Sequence, residues 1–266
     1  MADCIILDRE EKKYATDVAL MTVTDTEYNA VMYFHDWQTV MYKGDDQRYQ
    51  IATFERDGKE YSLVHVKAGE MGMPAAGATT MKAIYDFRPH YVIMVGIAAG
   101  VALSELEEQI YGDVIVPDIV WNYSAGKFVS PDNAEISYGE VGFLPRPRQV
   151  RIPERVMPYI RKAAESEENE CHVYIGPMAC GSSVVANRKF LESHVHSQNR
   201  QTAGLDMESY AVAYACIHAT KPRPTPIIVK SVCDYGDSQK SDQYQKFAAF
   251  TSCQFAHLLY TKYLPL

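Results

Sequence analysis

The sequence lacks any apolar run of the roughly 18 residues that a membrane-spanning helix requires. Its first stretch, MADCIILDREEKKYATD, carries acidic residues where a signal peptide carries basic ones, and its apolar run is too short for one. Excess positive charge is missing too, since 26 Lys and Arg stand against 34 Asp and Glu, a net charge of −8. These absences predict a soluble, cytoplasmic protein that binds neither nucleic acid nor a membrane surface.

Closely spaced cysteine pairs are absent as well. The six cysteines are scattered without a C-x-x-C motif, and no Cys/His cluster has the spacing of a zinc site. In a chain of this length the pattern indicates reduced, mostly buried thiols rather than a disulfide framework. The sequence therefore implies neither a metal ion nor an organic cofactor.

What the sequence does contain is a regular alternation of apolar strands and helical patterns. Near-continuous apolar runs, typical of strands covered on both faces, occupy 17–23, 61–68, 91–100, 112–117, 173–180 and 225–234. Helical patterns fall between them at 26–36, 75–87, 153–167, 207–220 and 242–264. This order predicts one α/β domain over 17–266 with a largely parallel sheet. Residues 1–16 are expected to be a polar N-terminal extension.

The stretch 121–152 is rich in glycine and proline and contains the aromatic segments WNY and SY. The composition predicts a loop of about thirty residues, longer than a passive connection usually needs. No internal repeat, low-complexity tract or flexible linker interrupts the chain. One domain is therefore the better interpretation.

Two segments that follow predicted strands combine turn residues with possible chemistry. In MTVTDTEYNAV, Glu27 opens a helix after Thr24, an arrangement that, taken alone, helix capping explains better than a catalytic role does. In GEMGMPAAGATT, three glycines precede a helix, but their spacing matches neither a Walker loop nor a dinucleotide fingerprint. Those glycines allow either close helix packing or the close approach of a sugar.

Three more strand ends carry small or acidic residues. VGIAAGV, residues 95–101, leaves room for a ligand beside free backbone N–H groups. Asp206 and Glu208 flank Met207 before an apolar helix, where an acid either complements the helix dipole or accepts hydrogen bonds from a diol. Asp234, in SVCDYGDS, is either a turn former or a proton donor. Because ligands bind outside the carboxyl ends of strands in open α/β sheets, these segments are expected to converge.

The order and spacing of the glycine-rich turn, GIAAG, GDVIVP, GSS, DMES and CDYGDS resemble the nucleoside phosphorylase/nucleosidase superfamily. The resemblance runs from about residue 17 to the C-terminus and includes YGEVGFLP in the long loop. Within the superfamily, the chain is most similar to methylthioadenosine/S-adenosylhomocysteine nucleosidases and to nucleosidase domains of multidomain proteins. The resemblance implies a nucleoside-phosphorylase-like α/β fold, with a central, mixed, mostly parallel twisted sheet flanked by helices.

The resemblance also implies a role for each matching residue. Glu27 would activate the attacking water, and Asp234 would protonate N7 of the leaving purine. Met207 and Glu208 would hold the ribose, with Glu208 taking the hydroxyls. GSSVV would frame the base, with Val184 in apolar contact, Val185 offering backbone groups and Ser183 beside them. The remaining pocket positions are Gly96, Ile97, Ala98, Lys230 and Cys233.

The chain departs from the family pattern at several of these positions. The arginines that bind phosphate in related phosphorylases have no counterpart in TVTDT or VIMV, which favours hydrolysis over phosphorolysis. Ile97 and Lys230 stand where such nucleosidases commonly carry serine and arginine near the water. Cys233 stands where they usually carry serine.

The resemblance implies a small purine nucleoside as the binding partner and a homo-oligomer, a dimer or hexamer. The substrate is expected to be an adenine nucleoside: methylthioadenosine, S-adenosylhomocysteine, adenosine or a 5′-phosphorylated relative. A 5′-phosphate would need basic residues, for which the candidates are Lys43, Arg48, Lys127 and Arg188. Two alternatives stay open, a phosphate-dependent purine nucleoside phosphorylase and a non-catalytic nucleoside sensor, the latter suggested by Ile97.

Overall fold

The computed structural model of the chain describes residues 13–101, 109–138, 141–238 and 241–266. Its first strands are β1 (Thr16–Thr22), β2 (Gln38–Met41), β3 (Arg48–Arg56), β4 (Lys59–Lys67), β5 (Pro89–Gly100), β6 (Val114–Val116) and β7 (Ile119–Asn122). The later strands are β8 (Gly126–Val129), β9 (Ile136–Tyr138), β10 (Val141–Pro145), β11 (Arg148–Arg151), β12 (Val173–Ile175), β13 (Met178–Cys180), β14 (Gly204–Asp206) and β15 (Thr225–Asp234).

The helices are α1 (Asp25–Met32), α2 (Met73–Phe87), α3 (Met157–Ala164), α4 (Arg188–Phe190), α5 (Ser209–His218) and α6 (Gln245–Leu258). Turns with π-helical hydrogen bonding continue two of them, Leu191–His196 after α4 and Leu259–Tyr263 after α6. No helix in the described part of the chain combines the length and the apolar character needed to cross a bilayer.

A large mixed sheet organises the domain, in the order β11-β7-β13-β14-β5-β1-β4-β3-β2. Strand β15 also pairs with β5 and β6, and β6 pairs with β12. The central pairings β1–β4, β1–β5 and β5–β15 are parallel, whereas β3–β4, β2–β3 and β14–β5 are antiparallel. The predicted α/β fold, with a mixed central sheet and flanking helices, is therefore confirmed.

Helices cover the sheet in two groups. Helix α2 packs on α5, while α6 packs on α1 and against β5 and β15. Every residue of β15 is buried, which is what its continuous apolar sequence predicts for a strand covered on both faces. Among the described residues, the main apolar core includes Val92, Ile93 and Met94 of β5 and Ile227, Ile228 and Val229 of β15.

The prediction of a long irregular loop over 121–152 is wrong. Most of this stretch is a three-stranded antiparallel sheet, β8-β10-β9, followed by β11 at the edge of the large sheet. Two of its glycines occupy strand positions where a side chain would not fit. A Cβ on Gly126 would lie 2.2 Å from the Phe143 ring, and one on Gly142 would lie 2.4 Å from Ala134 Cβ.

Other differences concern single elements. Strands β2 and β3 were not predicted from the sequence, and the strand expected at 173–180 is two short strands that pair with different partners, β12 with β6 and β13 with β7 and β14. The helix expected over 153–167 begins with a 3₁₀ turn and becomes α-helical at Met157. Most of the expected N-terminal extension lies outside the described residues, and the domain boundary stays a prediction.

Candidate active site

A cleft of about 330 Å³ opens where β1, β5, β14 and β15 end or pass. Strand β14 runs antiparallel beside the last residues of β5, with Leu205 opposite Ala99, so that Asp206 lies next to the ends of the parallel strands. The cleft is lined by acidic side chains, namely Glu27, Asp206, Glu208, Asp234 and Asp242. The segments that the sequence places at strand ends therefore converge on one site.

Glu27 is held by backbone hydrogen bonds from the segment between β1 and α1 and from β5. Its Oε2 accepts N–H groups of Val23 and Thr24 at 2.9 and 2.8 Å, and its Oε1 accepts the N–H of Ile97 at 2.9 Å. The Thr24 side chain accepts the N–H of Glu27, which completes a capping box at the start of α1. The capping interpretation is therefore correct, and the same contacts orient the carboxylate in the cleft.

Gly96 lies against that carboxylate. A Cβ at this position would be 2.0 Å from Glu27 Oε1 and 3.3 Å from Lys230 Nζ. Any larger residue would displace the carboxylate, since contacts under 3.0 Å do not occur for real Cβ atoms. The small residue at the end of β5 thus makes room for a protein side chain, where the sequence suggested room for a ligand.

Lys230 is a buried ammonium among three carboxylates. Its Nζ lies 3.3 Å from Asp206 Oδ2, 3.8 Å from Glu208 Oε2 and 4.0 Å from Glu27 Oε1, and its side chain is 1% exposed. Burial lowers the pKa of Lys230, but the charges of the three acids outweigh it and hold that pKa above its ordinary value. The lysine is therefore charged and compensates the acids of the cleft.

Glu208 is the N-cap residue of α5, and its side chain reaches the start of α2. Its Oε1 accepts the N–H of Gly72 at 2.8 Å, and Gly72 is the N-cap of α2 with a φ of +105°, a conformation that favours glycine. Burial, assisted by the negative charge of Asp206 and opposed by Lys230, raises the pKa of Glu208 to about 7. Its neighbour Met207 also lines the cleft. A carboxylate in this position can accept hydrogen bonds from a diol.

Asp206, the last residue of β14, forms hydrogen bonds mainly with the start of α5. Its carboxylate accepts the Ser209 hydroxyl at 2.6 Å and the Ser209 N–H at 3.0 Å, which binds it to the first residue of α5. Its second oxygen also contacts Lys230 at 3.3 Å. The sequence suggested dipole complementation for this acid, and the structure adds the contact to a distant lysine.

Asp234 follows an irregularity in β15. The register with β5 shifts between Val232, which pairs with Ala98, and Asp234, which pairs with Ala99, so Cys233 is an extra residue in a β-bulge. The Asp234 carboxylate accepts the N–H of Gly236 at 2.8 Å and the Cys233 thiol at 3.3 Å. Asp234 is 4% exposed and lines the cleft, so the bulge directs a buried acid towards the site.

The segment predicted to frame the base also reaches the cleft. Ser183, Val184 and Val185 line it, with Val184 exposed and Val185 buried. The Tyr123 hydroxyl donates a hydrogen bond to the Ser183 carbonyl at 3.4 Å. This hydrogen bond restrains the Ser183 carbonyl beside the cleft.

The structure brings together the predicted site residues. The cleft is lined by Glu27, Ile97, Ala98, Cys233 and Asp234, and also by Ser183, Val184, Val185, Met207 and Glu208. Gly96 and Lys230 do not line it but contact Glu27 from behind.

The sequence motifs gave no role to three residues that line the cleft: Met71, Asp242 and Gln245. Met71 belongs to the glycine-rich turn, and the last two lie just before and at the start of α6, so their positions depend on tertiary packing alone. The basic residues considered for a 5′-phosphate, Lys43, Arg48, Lys127 and Arg188, are not among the described residues that line it.

The fold and the cleft together define an α/β domain with an acidic site at the ends of its strands. The chain belongs to the phosphorylase superfamily, because the model of that family matches residues 18–260. The superfamily and the enzymatic character inferred from the sequence motifs are therefore confirmed.

Individual relatives extend this result. The uncharacterized protein y4jS of Sinorhizobium fredii is 32% identical over 236 residues, 83% of this chain and 54% of that protein. The ATP nucleosidase Cap17 of Escherichia coli (strain KTE188) is 26% identical over 220 residues, 73% of this chain and 40% of that protein. The chain thus spans about half of the length of these relatives, or less.

Among solved structures, the chain is similar to a 5′-methylthioadenosine/S-adenosylhomocysteine nucleosidase from Neisseria meningitidis in complex with methylthio-immucillin-A. The TM-score is 0.72 and the identity 18%, over 92% of this chain and 99% of that chain. At this identity the likeness supports the fold, and the chemistry rests on the residues of the cleft.

Proposed function

We propose that the chain is a purine nucleosidase that hydrolyses the N-glycosidic bond of an adenine nucleoside. One observation carries the proposal: a single cleft contains Glu27, Glu208 and Asp234, which come from three different segments of the chain. The solved nucleosidase of the same fold and the ATP nucleosidase relative are consistent with this reaction class.

Each acid has a step that suits its surroundings. Glu27, oriented by three backbone N–H groups, accepts a proton from water as the water oxygen bonds to the anomeric carbon. Asp234 gives a proton to N7 of the purine, so that the base leaves with the electron pair of the broken bond. Glu208 accepts hydrogen bonds from the ribose hydroxyls.

Hydrolysis is favoured over phosphorolysis by the charge of the cleft. Five carboxylates line it, and the described lining contains neither arginine nor lysine. Lys230 lies beneath the lining and is already surrounded by three acids. An inorganic phosphate would meet repulsion there, whereas a neutral water would not.

The experiment is a product assay with adenosine, methylthioadenosine, S-adenosylhomocysteine, AMP and ATP, each with and without inorganic phosphate. The proposal predicts free adenine and the free sugar without any need for phosphate. Turnover that depends on phosphate would identify a phosphorylase, and binding without turnover would identify a nucleoside sensor. The same panel determines which 5′ substituent is preferred.

The expected homo-oligomer stays a prediction. Light scattering coupled to size-exclusion chromatography tests it directly, and a single monomer mass over the working concentration range would contradict it.

A further inference from the structure

The acid nearest to Lys230 is not one of the three acids to which the reaction assigns a role. Asp206 Oδ2 is 3.3 Å from Lys230 Nζ, whereas Glu208 and Glu27 lie at 3.8 and 4.0 Å. Only the Asp206 distance is within hydrogen-bonding range. We propose that Asp206 is a positioning residue, which holds the Lys230 ammonium at a point between Glu27 and Glu208 so that one buried cation serves both carboxylates.

The support of Asp206 is rigid. The Ser209 hydroxyl and N–H both donate to its carboxylate, at 2.6 and 3.0 Å, and Ser209 is itself fully buried at the start of α5. Asp206 ends β14, which is hydrogen-bonded to β5 and β13. The lysine comes from β15, which also pairs with β5. The position of the ammonium is therefore fixed by the sheet on one side and a helix start on the other.

The consequence for Glu208 is electrostatic. The groups that face it are Lys230 on β15, Asp206 on β14, Glu27 on α1, the Cys180 thiol on β13 and the Gly72 N–H at the start of α2. Burial and Asp206 raise the pKa of Glu208, and Lys230 and the Gly72 N–H lower it. Any movement of the ammonium relative to Asp206 therefore changes the ionisation of the acid that is proposed to hold the ribose.

The kinetic consequence of this inference rests on the proposed nucleosidase reaction, whereas the first test, a titration of Glu208, is independent of that reaction. The ionisation of Glu208 is followed by NMR of protein labelled with ¹³C at the glutamate carboxyl carbons, and Glu208→Gln identifies the signal. In the wild-type protein we expect a midpoint near pH 7, in line with the pKa of about 7. This titration needs no substrate and no turnover.

Asp206→Asn removes one negative charge and releases Lys230 towards Glu208 and Glu27. We expect the Glu208 midpoint to fall by about one pH unit or more, because a like charge is lost and an opposite charge comes closer. Asp113→Asn is the matched control, since Asp113 is also a buried acid that accepts a backbone N–H, from Ile110, but does not line the cleft.

Ser209→Ala gives a second test that leaves every charge in place, in case Asp206→Asn does not fold. Without the hydroxyl, Asp206 depends more on Lys230 and draws it away from Glu208, so we expect the midpoint to rise. Ser209→Ala separates the two roles, because it removes no charge: a purely structural role for Asp206 predicts no shift of the Glu208 midpoint in this variant, beyond the charge effect seen in Asp206→Asn. Unchanged Glu208 midpoints in the folded variants would overturn the proposal.

The kinetic arm separates this inference from the proposed function. In Asp206→Asn, Lys230 pairs with Glu27 and weakens it as a proton acceptor, so kcat should fall by about tenfold or more with a smaller change in KM. If the wild-type protein releases no base from any nucleoside, the proposed function fails while the titration still decides the role of Asp206.

Discussion

Gly96 and the carboxylate of Glu27 occupy adjoining space so tightly that a methyl group on the glycine would lie 2.0 Å from Glu27 Oε1. The same methyl group would lie 3.3 Å from Lys230 Nζ. Gly96 lies in β5, and Glu27 lies in the first turn of α1, which follows β1, the parallel neighbour of β5. Backbone register thus determines where the proposed base of the reaction can point.

Gly96→Ala should therefore cost both activity and stability. The added methyl displaces Glu27 from the cleft, and overpacking of this kind costs about 1–3 kcal/mol of unfolding free energy. Denaturant unfolding and kcat measure the two effects. Gly69→Ala is the control, because a Cβ there meets nothing within 4 Å. Full activity in Gly96→Ala would contradict the assignment of Glu27 as the base.

Asp234→Asn should abolish cleavage and preserve the fold. The amide is nearly isosteric and can still accept the Gly236 N–H, but it cannot supply a proton to the leaving purine. We expect kcat to fall by about 10²–10⁴-fold while nucleoside binding is retained. The neighbouring acid Asp237 does not line the cleft, so Asp237→Asn should remain active. Near-normal turnover in Asp234→Asn would remove this residue from the acid role.

Glu208→Gln should weaken ribose recognition. Hydrogen bonds to a charged acceptor are worth about 1.5–3 kcal/mol, so KM for adenosine should rise by about 10- to 100-fold. 2′-Deoxyadenosine, which lacks one hydroxyl, should lose less. Equal losses for the two substrates would argue against contact with the diol.

The same residue predicts a pH dependence of KM. Because the pKa of Glu208 is raised to about 7, its carboxylate becomes protonated as the pH falls below 7 and then accepts hydrogen bonds less well. KM for adenosine should accordingly rise between pH 7 and pH 5 in the wild-type protein. Initial-rate measurements should find this rise missing from Glu208→Gln.

Acid should destabilise the fold through His65. This histidine is fully buried on β4, and burial, assisted by the charge of Lys67, lowers its pKa to about 3. The unfolded chain binds a proton near pH 6.5, so between pH 6.5 and about 3 the unfolded state holds more protons and stability falls as the pH falls.

The slope expected from this one group is about 1.4 kcal/mol per pH unit within that window. Urea unfolding at several pH values measures it, and His65→Gln should flatten the profile. The same replacement at His218, which is exposed on α5, controls for loss of an imidazole as such. An unchanged slope in His65→Gln would show that other groups dominate.

The central fold was predictable because its strands are covered on both faces. The apolar runs that became β1, β4, β5 and β15 leave little choice of structure. In contrast, β3 reads RYQIATFER, with charged and polar residues through its length, because it extends the sheet away from the covered centre. The glycines of β8 and β10 indicated a loop, whereas they are required by the packing of Phe143 and Ala134.

The site was predictable where a motif carried it and not where tertiary contact did. Glu27, Glu208 and Asp234 each stand in a recognisable segment, and all three line the cleft. The hydrogen bonds of Asp206 to Ser209 at the start of α5 give it a sufficient local role, so no local signal points to Lys230, 24 positions further along the chain. Asp242, which comes just before α6, was equally hidden, because only the packing of α6 brings it to the cleft.

The extra residue at Cys233 has a consequence for how this site can vary. Lys230 is paired with Gly96 upstream of the bulge, whereas Asp234 follows it. Because the inserted residue Cys233 lies between Lys230 and Asp234, separate parts of β15 set the directions of the ammonium and of the proposed proton donor. A change in the orientation of the acid therefore leaves the charge cluster beneath Glu27 undisturbed. For the proposed reaction we therefore expect a substitution that turns Asp234 to affect protonation of the leaving base without displacing the groups around Glu27.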